Sequence, residues 1–139
     1  MIAFDADGLF EELAALAHRE GYAAQFDRTT MVRVIAEAIA EARSLAAGHP
    51  EQEVAAVFHA FGRRSITFRP VARRFVDTLL HAQAVATGFE LEMTEAEFAI
   101  LCARIALHQI ELPELHSWIA PRLRPLGQTS KRRPPKRPR

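Results

Sequence analysis

Between Pro70 and Gly88 the chain places Val71, Phe75, Leu79, Ala82 and Ala86 at helical spacing, with Val76 and Leu80 beside them. A helix that is apolar over so wide an arc is stable in water only when other elements cover it on more than one side. The segment therefore predicts a central helix over about 70–87, with Pro70 in its first turn and Gly88 closing it in the left-handed conformation. The rest of the chain has to build a layer around it.

The flanking sequence is patterned to do so. Residues 9–18, LFEELAALAH, repeat Leu9, Leu13, Leu16 and Ala17 on one face, and Gly21 stops the run. Asp27 or Thr29 is the candidate cap of a second helix over 30–45, with Val32, Ile35, Ala36 and Ile39 inward. Pro50 suits the first turn of a third helix that runs to about Gly62 and buries Val54, Val57, Phe58 and Phe61. After the central helix, FELEM predicts a short extended or hairpin-like piece. TEAE at 94–97 has the form of a capping box and opens a fifth helix to about residue 108. A short sixth helix is expected between Pro113 and Pro121, with Trp118 packed on the core. There is no internal repeat and no sustained alternation of the kind strands require. The expectation is an all-α fold, a compact six-helix bundle over 1–125, followed by a Pro- and Arg-rich segment at 126–139 whose composition predicts disorder.

Composition excludes several classes of protein. A chain of 139 residues, 49% hydrophobic and 25% charged, suits one globular domain. No apolar run approaches the roughly 18–20 residues of a membrane span, so no membrane partner is expected. The acidic start, MIAFDADGLFEEL, is unlike a signal peptide, and the single Cys102 forms no internal disulfide. Both point to the cytoplasm. Cys102 lies in FAILCARIAL and is expected to be a small core residue rather than a nucleophile. Abundant alanine and a preference for arginine over lysine suggest a GC-rich bacterial genome.

The net charge of +1 conceals an asymmetry. Lys131, Arg132, Arg133, Lys136, Arg137 and Arg139 crowd the last nine residues without an acid; the remainder has twelve basic residues against 17 acidic ones, a net of −5. Such a tail can bind RNA or DNA by counterion release. Its prolines keep it extended, and with no aromatic residue to stack on bases its binding would be independent of sequence. The alternative is a solubilising appendage. Six histidines are present, but no H-x-x-x-H, H-E-x-x-H or C-x-x-C spacing, and no metal site is predicted. A turn could bring His108 and His116 together, without an evident third ligand; His18 and His49 sit near helix ends.

One stretch carries concentrated charge. RRSITFRPVARRF, residues 63–75, contains Arg63, Arg64, Arg69, Arg73 and Arg74 and no acid, histidine or cysteine. These arginines either bind an anion or pair with the domain's surplus carboxylates. In the order of elements around this stretch (helices, HPEQEVAAVFHAFGRRSITF, a helix closed by TGFEL, a capped helix, IELPELHSWI) the chain resembles the Fic/Doc family, and most closely the short Doc-type toxins of toxin–antitoxin pairs. That family has H-P-F-x-D-G-N-K-R at the entry to its central helix, N-G-Y at its end, and a closing helix of E-E-L-x-x-W-L type. Here Phe68 and Phe89 stand 21 positions apart, as the motif phenylalanine and the N-G-Y tyrosine do in many such sequences. Thr87-Gly88-Phe89 matches N-G-Y, and the run from Pro113 to Ile119 matches the closing helix. The resemblance covers about residues 5–123.

The resemblance implies transfer of a phosphoryl or nucleotidyl group to a protein hydroxyl, with ATP and Mg²⁺. In the family, histidine takes the hydroxyl proton, the acid holds Mg²⁺, glycine and asparagine cradle phosphate, and the basic pair neutralises transition-state charge. In this chain the histidine position holds Ile66, the proline Thr67, the acid Pro70, the glycine Val71 and the asparagine Ala72. Phe68 is retained, and Arg73 and Arg74 match the basic pair. An isoleucine accepts no proton and a proline holds no metal. The resemblance then implies a toxin fold without its chemistry, needing no cofactor and acting on an antitoxin-like protein, a host target or a nucleotide ligand. Two alternatives stand beside it: an active transferase using His59, from HAFGRR, as base, and a nucleic-acid module acting through residues 131–139.

Overall fold

The computed structural model describes residues 1–22 and 26–127. They form six α-helices and one two-stranded ribbon: α1 (Ala6–Arg19), α2 (Arg28–Leu45), α3 (Glu53–Gly62), α4 (Ala72–Ala86), β1 (Phe89–Leu91), α5 (Glu95–Ala106), α6 (Leu112–Ile119) and β2 (Leu123–Pro125). None of these helices is long and apolar enough to cross a membrane.

Local signals set most boundaries. The Asp5 carboxylate accepts from Gly8 N at 2.8 Å and starts α1; Asp27, not Thr29, caps α2 by accepting from Thr30 N at 2.9 Å. Thr94 and Glu97 form the reciprocal capping box of α5, each side chain accepting from the other's backbone. Gly88, at φ +90°, closes α4 in the left-handed region where a Cβ is disfavoured. His108, at φ 57°, turns the chain after α5 in the same way, two residues beyond the last helical position.

Pro70 departs from expectation. It follows a cis peptide bond to Arg69 and lies ahead of the central helix, which begins at Ala72 rather than in a first turn at 70. Residues 65–68 instead form a 3-10 turn that drops Phe68 into the core. Pro50 likewise opens a 3-10 turn before α3.

The core is built where α3 and α4 cross. Phe61, Phe68 and Phe75 are fully or almost fully buried and meet with ring centroids 5.1–6.2 Å apart; Phe58 stacks on Phe98 of α5 at 5.4 Å. Truncating one such phenylalanine to alanine costs about 3–5 kcal/mol. Gly62 lets α3 and α5 approach closely, because a Cβ there would stand 2.9 Å from Ile105 Cγ2. Trp118 packs against the core and carries the Arg122 guanidinium 5.0 Å above its ring.

Two buried polar groups tie elements together. Gln83 of α4 donates to Glu53 of α3 at 3.0 Å, and the Met1 ammonium lies 3.1 Å from the same carboxylate. Arg43 of α2 donates to the Ile2 carbonyl at 2.9 Å, holding the buried Ile2 against the bundle. The ribbon agrees with the sequence pattern in one strand only. FELEM does contain a strand, β1, but its antiparallel partner comes from 123–125, where the pattern predicts no extended segment. Leu126 N still donates to Gly88 O at 3.3 Å, so placed backbone runs past the expected start of the tail at 126. The basic residues from Lys131 to Arg139 lie outside the described residues.

Candidate anion-binding groove

The arginine stretch divides in two. Arg63 and Arg64 follow α3 and turn toward α2, where both hold Glu41, at 2.7 and 2.6 Å. Burial pushes the Glu41 carboxyl up, but the Arg64 hydrogen bond and the charges of Arg64, Arg63 and His59 outweigh it and hold the carboxyl below its usual range. For these two residues, pairing with a surplus carboxylate is what the structure shows.

His59 belongs to the same corner. Its side chain is only 12% exposed, with Nδ1 4.0 Å from Glu41 and without a hydrogen-bond partner among the described residues. Burial, then the Arg63 charge, lowers its affinity for a proton; Glu41 and Glu111 oppose them. The ring is covered by its neighbours and does not line the groove at the entry to α4.

Arg69, Arg73 and Arg74 face another way. Phe68 anchors one end of the turn in the core and Val71 the other, so Arg69 between them is forced outward. Arg73 and Arg74 occupy the first turn of α4, whose preceding residue, Val71, offers no side-chain cap. All three line an open groove of about 1180 Å³ between the C-terminal end of α1, the N-terminal half of α4 and the start of α5. Leu16, Pro70, Leu91, Met93 and Phe98 contribute to its apolar lining; Arg19, Asp77, Thr78, His81, Thr94 and Glu95 supply the rest of its polar side chains.

Arg74 reaches Glu20 at 3.3 Å across the groove's edge, with both side chains solvated. The side chains of Arg19, Arg69 and Arg73 form no ion pair or hydrogen bond with any described residue. Sequence reasoning misses Arg19, which sits 50 residues from Arg69; its position in the last turn of α1 looks like ordinary complementation of the helix dipole. Its convergence on Arg69 and Arg73 is a consequence of packing that no local pattern carries.

Asp77 and His81 stand one and two turns along α4 from Arg73, with His81 Nδ1 3.4 Å from the Asp77 carboxylate and 2.9 Å from the Asp77 carbonyl. This i, i+4 pair is visible in the sequence only when the polar side of α4 is read beside its apolar face. Elsewhere, Cys102 is partly buried and burial pushes its thiol up to about 11, despite the nearby Arg73 charge. Among the described residues no group of three His, Cys, Asp or Glu side chains is placed to hold a metal ion. His116 has a buried Nδ1 without a hydrogen-bond partner among the described residues. Comparison with family models, curated proteins and solved structures returns no match for this chain.

Proposed function

We propose that this chain is a Fic/Doc-like protein whose transferase chemistry has been lost and which acts by binding, with anion recognition retained at the entry to its central helix. The element order supports this reading: three helices, the 3-10 turn bearing Phe68, the central α4, a short strand, a capped helix and a closing helix. The observation that carries it is the convergence of Arg19, Arg69 and Arg73, unpaired among the described residues, on one groove that also receives Arg74. Ile66, the residue in the motif's histidine position, is 67% exposed and has no proton-accepting atom. Charge recognition therefore survives where proton transfer and metal binding do not. The partner is a protein, antitoxin-like or a host target, or a nucleotide held as ligand; the cytoplasm is the expected setting.

A transfer assay on the full chain tests the loss of chemistry. With Mg²⁺ and ATP labelled separately at the α- and γ-phosphates in a bacterial extract, no labelled protein above a no-enzyme control is expected. Label from either position would overturn the reading.

An active transferase has one observation in its favour. Asp77 and His81 place a carboxylate and an imidazole in the same groove as the arginines. If label is transferred, His81→Ala abolishing it while His59→Ala leaves it intact would establish that reading.

A further inference from the structure

The described residues hold twelve arginines and 17 carboxylates, so carboxylate partners are in excess. Nine of the arginines engage a carboxylate or a backbone carbonyl. The remaining three, Arg19, Arg69 and Arg73, come from separate segments of the chain and share one groove. Guanidinium groups left over at random would be scattered across the surface. Asp77 and Glu95 also line the groove but pair with none of the three, and a doubly charged oxyanion accepts charge-assisted, often bidentate bonds from such guanidinium groups.

We propose that the groove recognises a phosphorylated side chain of a partner protein, with Arg19, Arg69 and Arg73 as its clamp. This rests on the proposed anion-binding function and specifies its ligand. Three features select this class. The described residues carry a net charge of −5, and Asp77 and Glu95 line the groove itself, so an extended nucleic-acid backbone would meet repulsion beyond the first phosphate. A single phosphate beside three guanidinium groups meets little. A nucleotide needs a surface for its base, yet Phe98 is 8% exposed and already stacked on Phe58, and His81, the groove's other ring, is held against Asp77. Finally, the groove is open and far larger than one phosphate, and the exposed Pro70 and half-buried Met93 offer apolar contact to the peptide. Asp77, one turn along α4 from Arg73, sets a carboxylate where a basic residue near the phosphorylated position would be received.

The test uses the full chain and an array of degenerate heptapeptides with central phosphoserine, phosphothreonine or phosphotyrosine, each beside its unphosphorylated twin. Retention of phosphorylated peptides over their twins is expected, weakened at least about tenfold by Arg73→Ala, Arg69→Ala or Arg19→Ala. Arg33→Ala should leave binding unchanged, because Arg33 lies on α2 and pairs with Glu37. Circular dichroism of each variant checks folding, which truncation of exposed arginines should not disturb. Titration with inorganic phosphate, AMP and a single-stranded RNA, followed by amide NMR shifts, separates the ways of failing. Phosphate shifts at the three arginines without peptide selection would overturn the phosphopeptide assignment and leave the anion groove standing. Preference for AMP or RNA would do the same. No anion-induced shift at these residues would overturn both.

Discussion

Replacing Gly62 with alanine tests how closely α3 and α5 are fitted. Gly62 sits in the last turn of α3 with helical backbone, so alanine should on propensity alone stabilise the helix by about 1 kcal/mol. The new methyl carbon, however, would lie 2.9 Å from Ile105 Cγ2 and 3.5 Å from two further atoms of that side chain. Ile105 is 1% exposed and branched at Cβ, so one χ1 rotamer is strongly preferred in its helix and withdrawal into another is costly. Restoring ordinary contact requires α5 to move by about half an ångström, and a gap of that order forfeits a quarter or more of the dispersion energy at the contacts it opens. Phe98, Leu101 and Ile105 are the buried residues on α5, each contributing about 1.5–3 kcal/mol through burial. A loss of about 2–3 kcal/mol against a gain of about 1 leaves Gly62→Ala destabilised by roughly 1–2 kcal/mol, a fall of several degrees in melting temperature. Urea denaturation of Gly62→Ala, Ile105→Ala and the double variant gives the cycle. In the Ile105→Ala background the same alanine should be neutral or stabilising. A stabilised Gly62→Ala in the parent chain would refute the close approach.

Glu41→Gln should destabilise the fold by about 1–2 kcal/mol, measured by urea denaturation, because Arg63 and Arg64 lose a charged partner that is only 22% exposed. His59 sets a pH dependence. Its folded pKa lies below the ordinary value near 6.5, so the unfolded chain binds its proton first; the contribution is present above that value and is lost as pH falls through the folded pKa. His59→Phe should flatten that part of the stability profile, below about pH 6.5. Glu97, held down to about 2 chiefly by its bond from Arg122, contributes in a lower window, present above its usual value of 4.5 and lost toward pH 2. Arg122→Ala should therefore shallow the acid limb of the curve. Cys102, its thiol raised to about 11, should resist iodoacetamide at pH 8 in the native protein and react on addition of denaturant.

The legibility of each element in the sequence depends on the range of the interactions that decide it. The caps at Asp27 and Thr94 and the left-handed Gly88 are decided within four residues; Thr94 and Gly88 stand where the local pattern puts them, and Asp27 is one of the two cap candidates it offers. The central position of α4 is visible in the width of its apolar arc. Pro70 is misplaced by local pattern because a proline ahead of an apolar run fits a first helical turn equally well, and the burial of Phe68 and Val71 on either side decides otherwise. The β2 strand escapes notice because three residues, LRP, show no period; only pairing with β1, more than thirty positions earlier, makes them a strand. The arginine stretch shows both its possible fates, anion binding and pairing with carboxylates. Glu41 claims Arg63 and Arg64, Glu20 reaches Arg74, and Arg69 and Arg73 are left to the groove with Arg19. That division depends on which way each side chain leaves the turn, which is a tertiary property.

The ribbon gives the chain beyond the central helix the topology of a closed loop. Pairing of Leu91 with Leu123, the bond from Glu92 N to Arg122 O and the two bonds from Arg122 to Glu97 bring both ends of the segment 92–122 to one neck. The α5–α6 hairpin is thus tied at its base, and its connection at 107–111 is its far end. A single backbone cut in that connection would leave two pieces, each anchored at the neck and packed against α3, that stay associated without a covalent link. Separately produced fragments ending and beginning there would be suited to reconstitute the bundle on mixing, with the ribbon as the join.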